Sequence, residues 1–304
     1  MPGVYCDSVY YLQSRGYKLG KSIGEGSYCK VKTATKTYSN GVTKKIACKM
    51  IDKRKASNEF VNKFLPRELS IVKNIKHPNI VSVSDIIDSH DYVYLFMDIC
   101  EKGDLLDYIR NKGALSEAKA KVFFRQIVSA IYYLHTLDIS HRDLKCENIL
   151  LASKDCVKLG DFGFARCCRD AGTQRRILSE TFCGSAAYAA PEILKGTPYN
   201  PKMYDVWSLG CILFIMLTGA MPFDDSNIQE MLKVQTGKIL PFPPKYSISK
   251  SAKDLIMHML EPDITKRATI SQISQSNWLK EIPKPEHFHF DFILSQYRSC
   301  PKRS

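Results

Sequence analysis

His141-Arg142-Asp143-Leu144-Lys145-Cys146-Glu147-Asn148 is the stretch on which the reading of this chain turns. Within one short run it sets a carboxylate able to accept a hydroxyl proton, a lysine able to offset negative charge and an amide able to ligate a hard cation. Asp161-Phe162-Gly163 follows with a second carboxylate, and Ala190-Pro191-Glu192 comes later. One such triplet arises by chance. Several in order, with suitable partners upstream, describe a single site.

Those partners are present. Gly24-Glu25-Gly26-Ser27-Tyr28-Cys29-Lys30-Val31 carries two glycines, whose backbone N–H groups can approach anionic oxygens with no Cβ in the way. Lys45-Ile46-Ala47-Cys48-Lys49-Met50-Ile51 reads as a strand bounded by the turn signal Asn40-Gly41. Strand alternation then points Ala47 and Lys49 one way and Cys48 the other. Tyr92 to Met97 is a second strand-like run. Between them Pro66 suits the first turn of a helix, and Leu69, Val72 and Ile75 predict its inward face.

Beyond Lys102-Gly103 the pattern becomes helical. Phe123, Ile127, Ala130 and Leu134 line one face of a helix that Ser116 would cap, with Glu117 in its first turn. Val206 to Leu217 is apolar almost all round, as in a helix buried in a helical lobe. A strand-rich lobe, a larger helical lobe and a cleft between them make an α+β fold.

At 304 residues the chain can bury one large core or two in contact. Its 44 Lys and Arg against 31 Asp and Glu give a net charge of +13, which reads as a solvated basic surface. No motif for nucleic acid or lipid accompanies it, so neither a nucleic-acid nor a membrane role is expected. The start of the chain, Met1 to Gly16, is polar and lacks a secretory core, so the eleven cysteines are expected to be reduced thiols in the cytoplasm. Cys167-Cys168 lacks zinc spacing, and the longest apolar run, Cys211 to Leu217, is too short to span a bilayer.

In order and spacing these motifs resemble the eukaryotic protein kinases along nearly the whole chain. The resemblance implies a bilobal fold: an extension over 1–16, an N-lobe over 17–98, a C-lobe over 99–280 and a short tail over 281–304. ATP and Mg²⁺ are the implied cofactors. Asp143 would orient a substrate hydroxyl and take its proton, while Lys145 would screen the γ-phosphate, a pattern of serine/threonine kinases. Lys49 would reach the α- and β-phosphates with Glu68 as its helix partner; Glu59 is the competing acid. Asn148 and Asp161 are the implied Mg²⁺ ligands. The nucleotide would lie among Ile23, Gly24, Gly26, Val31, Ala47, Lys49, Leu150 and Asp161. Met97 would gate a back pocket, Asp98 and Cys100 would supply hinge backbone groups, and Asp104 would reach the ribose or a basic substrate side chain. Asp205 would cap the catalytic-loop backbone, and Glu192 would pair with Arg267. One departure stands out: Cys29 replaces the third glycine of the family pattern. A modified thiol there would obstruct ATP, although an inert reduced cysteine is the simpler reading.

Ser179-Glu180-Thr181-Phe182-Cys183-Gly184-Ser185-Ala186-Ala187-Tyr188 narrows the resemblance to the testis-specific serine kinases, within the calcium/calmodulin-dependent and AMP-activated kinase group. Lys63-Phe64-Leu65-Pro66-Arg67-Glu68 and Met221-Pro222-Phe223-Asp224-Asp225-Ser226-Asn227 support it. It implies Ser/Thr phosphorylation in sperm-forming cells, with Thr181 as the activating phosphosite, modified by an upstream kinase or by autophosphorylation and read by Arg142. Ser185 would sit against Asp143 and Lys145. Glu147 and Asp104 would favour protein substrates with Arg or Lys before the target hydroxyl. Two alternatives remain: a pseudokinase scaffold, and another relative of the AMP-activated kinases. The stretch after Trp278 shows no basic amphipathic helix of the calmodulin-regulated kind.

Overall fold

The structure, a computed structural model, describes residues 10–170, 172–173, 175–180 and 184–280. Five antiparallel strands form the smaller lobe: β1 (Tyr17–Glu25), β2 (Cys29–Thr37), β3 (Thr43–Asp52), β4 (Val83–Asp88) and β5 (Tyr92–Met97), in the order β1-β2-β3-β5-β4. Register decides which residues share a face. Val31 pairs with Lys49 and Lys49 with Leu95; Thr33 pairs with Ala47 and Ala47 with Met97. Direct partners project to the same side, so these two rows form the roof of the cleft. Ile46, Cys48 and Met50 point the other way, into a separate cluster with Leu12, Tyr17 and Phe96.

Helix α1 (Leu65–Asn74) packs on the same side of the sheet as that roof, with Leu65, Ile71 and Val72 in the core cluster that holds Leu95, and the wide turn of a π-helix, Phe60–Phe64, precedes it. Pro66 does lie in the first turn of α1, but the chain is already helical at Asn58. Proline has no N–H with which to continue the regular pattern, and the Leu65 N–H reaches back five residues to the Phe60 carbonyl. The buried face is Leu65, Glu68, Ile71 and Val72, with Leu69 only half-buried. A three-residue spacing drifts off a face that repeats every 3.6 residues, which is why Leu69 falls to its edge.

The larger lobe is built around two helices, α3 (Glu117–Thr136) and α5 (Pro201–Thr218); a shorter α2 (Leu105–Lys112) and α4 (Pro191–Leu194) flank them. Phe123, Ile127, Ala130 and Leu134 are all buried on α3, and the Ser116 hydroxyl accepts the Lys119 N–H at 3.3 Å. Glu117 does more than favour the helix dipole. Its carboxylate accepts hydrogen bonds from the Ser249 amide and hydroxyl and from Trp278 Nε1. Helix α5 is buried from Tyr204 to Thr218, opens on the Asn200 cap and ends at Gly219 with φ +70°. Helices α6 (Ile228–Thr236), α7 (Lys250–Met259), α8 (Ile270–Ser274) and α9 (Asn277–Lys280) complete the lobe. Short strands β6 (Ile139–Ser140), β7 (Ile149–Leu151), β8 (Val157–Leu159) and β9 (Arg166–Cys167) carry the loops that face the sheet. Among the described residues no helix is long and apolar enough to cross a membrane.

Candidate active site

The floor of the cleft is the loop between β6 and β7. Asp205, wholly buried on α5, accepts the backbone N–H of His141 at 3.0 Å and of Arg142 at 2.8 Å, the Ser140 hydroxyl at 2.9 Å and His135 Nε2 at 2.9 Å. Burial alone would raise this carboxyl, but the bonds from His135 and the loop amide hold it below the ordinary aspartate value. A charged group so fully bonded lets Arg142 adopt φ +64°, the turn that aims Asp143 upward. His141 ties the floor to the next segment. Its Nδ1 accepts the Asp143 amide, so Nε2 carries the hydrogen and donates to the Gly160 carbonyl at 3.0 Å.

Asp143 is buried, and two side chains converge on its Oδ2: Lys145 Nζ at 3.1 Å and Asn148 Nδ2 at 3.0 Å. Asn148 Nδ2 also donates to the Asp143 carbonyl at 2.8 Å. Both amide hydrogens are therefore engaged, leaving Oδ1 as the end able to ligate a cation. The Gly160 N–H donates to the Asn148 carbonyl at 2.8 Å, which brings Asp161 alongside.

Asp161 spans the cleft. Its Oδ1 lies 2.9 Å from Lys49 Nζ, and Glu68 Oε1 lies 3.0 Å from the same nitrogen. Burial works against the Lys49 charge, but the two carboxylates outweigh it and hold the ammonium above its ordinary value. Burial likewise opposes the Asp161 charge, yet Lys49 keeps that carboxyl below the usual range. Glu59, the competing acid, lies on the exposed surface paired with Lys63 at 3.0 Å. That pairing, away from Lys49, excludes it as the partner.

The roof holds Val31, Ala47 and Met97 in the rows already described, with Gly24 opposite Val31 in register. Ile23 is exposed on β1, and a Cβ at Gly26 would come within 3.0 Å of Cys29 Sγ. Burial pushes the Cys29 thiol up despite the nearby Lys49, the opposite of an activated cysteine. Leu150 lies on β7 of the floor, against the turn at Gly160.

Asp98, expected at the hinge, and Asp104, expected at the ribose or a basic substrate side chain, have further duties. The Asp98 amide is spent on the Ser82 carbonyl at 3.0 Å, so its carbonyl is the backbone group left to offer. Its carboxylate pairs with Lys158 at 2.8 Å; Cys100 follows, half-buried. Asp104 caps α2 by accepting the Asp107 N–H at 2.9 Å, which leaves one carboxylate oxygen for any other role. Arg267 and Glu192 form a bidentate pair at 2.7 and 2.9 Å.

Near the floor lies a cluster that the sequence did not disclose. Arg142 Nη1 and Arg166 Nη1 both donate to the buried Ser179 hydroxyl, at 3.0 and 3.3 Å. Burial, with the Arg142 and Arg67 cations, holds the Arg166 guanidinium below its ordinary value. Arg166 follows Asp161-Phe162-Gly163 by three residues, and that spacing was the signal available. Thr181 lies outside the described residues. Gly184, at φ +94°, packs on this floor, where a Cβ would meet the Arg142 carbonyl at 2.9 Å and Asp143 Oδ1 at 3.3 Å. Ser185, expected there, makes no side-chain hydrogen bond among the described residues; its carbonyl accepts the Tyr188 amide.

Hard oxygens at Asp161 and Asn148 fit Mg²⁺, which binds through one or two protein ligands plus phosphate oxygens and water. No cluster of three or more His, Cys, Asp or Glu side chains gathers a metal by itself among the described residues. The donor set suits a metal that arrives with a nucleotide.

Residues 17–279 match the protein kinase domain. The chain is 46% identical over 281 residues to testis-specific serine/threonine-protein kinase 2 of Mus musculus, covering 92% of this chain and 77% of that protein. It is 48% identical over 275 residues to testis-specific serine/threonine-protein kinase 1 of Mus musculus, covering 90% and 74%. With testis-specific serine/threonine-protein kinase 3 of Homo sapiens it shares 47% over 270 residues, covering 88% and 98%.

Proposed function

This chain belongs to the protein kinase family, as a serine/threonine protein kinase, and from that premise we propose how its cleft passes the γ-phosphate of ATP to Ser and Thr hydroxyls of proteins. The observation that carries the proposal is the convergence of Lys49, Asp161, Asn148 and Asp143 on one cleft, linked by the bonds through His141 and Gly160.

Asp143 accepts the substrate hydroxyl proton while holding the oxygen in line, and Lys145 beside it neutralises charge on the moving phosphoryl group. Lys49, fixed by Glu68, holds the α- and β-phosphates. Asp161 and Asn148 Oδ1 would hold Mg²⁺, which when bound offsets charge between the phosphates. Ala47, Val31 and Leu150 enclose the adenine, with Met97 at the back and the Asp98 carbonyl and Cys100 amide along its edge. Gly24, Gly26 and Ile23 cover the phosphate side.

Asp104 and Glu147 put negative charge beside the floor of an otherwise basic protein, supporting a preference for Arg or Lys before the target residue. The arginines around Ser179 form an anion-seeking spot that supports activation by phosphorylation of Thr181, two residues further on. The names of the relatives support a role in spermatogenesis, and the eight described cysteines, all free thiols, support a cytoplasmic setting.

Transfer of radiolabelled phosphate from ATP to a Ser/Thr protein substrate tests the reading. The parent should label the substrate, Lys49→Met and Asp161→Ala should fall by about a hundredfold or more, and Thr181→Ala should fall sharply. Equal labelling by parent and Asp161→Ala removes the proposed site; equal labelling by parent and Thr181→Ala removes the proposed switch.

A further inference from the structure

Tyr28 stands at the tip of the phosphate loop, between the glycine turn and β2. The Asp52 N–H donates to its carbonyl at 2.9 Å, and the Gly26 N–H donates to the Cys29 carbonyl at 2.8 Å, closing the loop around it. Its ring packs on Phe60 with centroids 4.4 Å apart and planes inclined by 51°. Burial raises the Tyr28 phenol, and its electrostatic neighbours are Lys49, Glu68 and Asp161. Tyr28 and Phe60 both pack against the core cluster that includes Leu65, Val72 and Leu95, so the ring turns inward, to the side of the sheet that carries Lys49.

Phe60 reaches this place through the irregular turn ahead of α1. In a regular helix, residues seven apart share a face and residues eight apart sit about 80° away from each other. Phe60 precedes Glu68 by eight. The five-residue hydrogen bond from Leu65 to Phe60 takes up one extra residue, so the two occupy one face as though seven apart. The Ser57 hydroxyl anchors the start of the turn by accepting the Phe60 N–H at 3.1 Å. One helix therefore presents Glu68 to Lys49 and Phe60 to Tyr28.

We propose that Phe60 is a positioning residue for the nucleotide, holding Tyr28 and with it the phosphate loop over Lys49. The inference rests on the cleft being the ATP site, as argued above. It assigns Phe60 a task that no motif marks: it touches the loop that covers the phosphates, not the reacting atoms. Loss of either ring frees the tip of the loop, weakening ATP binding while the floor, and with it the chemical step, stays in place.

The test is a double-mutant cycle with Phe60→Ala, Tyr28→Ala and the double variant. It reads the Kd of a fluorescent ATP analogue with Mg²⁺, the KM for ATP, kcat and thermal unfolding. Each single variant should raise Kd and KM about fivefold, the weight of one aromatic pair, with kcat changed less than about twofold. The double variant should be no worse than either single one, and Phe60→Tyr should restore the parent Kd. Multiplication of the two losses in the double variant, or an unchanged Kd in folded Phe60→Ala, overturns the clamp. So does a loss carried by kcat alone, the mark of a displaced Glu68. Should Phe60→Ala fail to fold, Phe60→Leu supplies the same comparison. A parent that binds no nucleotide rejects the ATP reading itself, a result distinct from failure of the clamp.

Discussion

Asp205 and Glu68 are both buried carboxylates that hold a functional segment in place, but they do so differently. Asp205 collects four hydrogen bonds from groups within the larger lobe, two of them loop amides. Glu68 makes one ion pair, to a lysine on another element, which itself reaches across to Asp161 on the opposite lobe. The floor of the cleft is thus fixed whenever its lobe is folded. The roof lysine is placed only while helix, sheet and floor keep their relation. Regulation has more purchase on the second arrangement than on the first.

Substitutions separate the two. Glu68→Gln should lower kcat/KM by about ten- to a hundredfold while Tm stays within about 3 °C, since Lys49 keeps Asp161 as partner. Asp205→Ala should act on folding, because two loop amides, a hydroxyl and an imidazole lose their buried acceptor. A loss of roughly 3–5 kcal/mol would lower Tm by about 10 °C in a melting experiment. If Asp205→Ala melts like the parent, the floor is not held as argued.

A smaller effect concerns the peptide side. Asp104→Ala and Glu147→Ala together should flatten any preference for basic residues in a positional peptide library, by about five- to tenfold. A parent library without basic preference would refute that assignment.

The smallest effect is on pH dependence. Asp161 has a lowered folded pKa, so its contribution to stability is present above the ordinary aspartate value of about 3.9 and is lost as pH falls through the folded value. Lys49 has a raised one, so its contribution is present below about 10.4 and is lost as pH rises through the folded value. The Tm difference between parent and Asp161→Asn should therefore be flat from about pH 6 to 9 and shrink below about pH 4. A steady slope across neutral pH would count against the pairing.

Legibility in the sequence follows the same division. The strands carrying Lys49 and Met97, the cap at Ser116 and the buried α5 were readable because local spacing and turn chemistry determine them. Glu68 could be chosen from its place after Pro66, although the helix begins earlier than the proline suggested. What escaped depends on distant partners. Nothing near Glu117 announces Ser249 or Trp278, and nothing near Ser179 announces Arg166 from β9. Asp104 was read as a contact for the ribose or a basic substrate side chain, whereas its first duty is to start a helix.

The wide turn between Phe60 and Leu65 also bears on how the chain tolerates changes in length. It stores one residue of slack in a helix that is otherwise tightly indexed. Deleting Asn62 would let that stretch relax into ordinary winding, with aromatic and acid seven apart and still aligned. Most helices facing an enzyme's cleft lose their register with a single deletion; this one has a place where a residue can be removed and both ends keep their bearings.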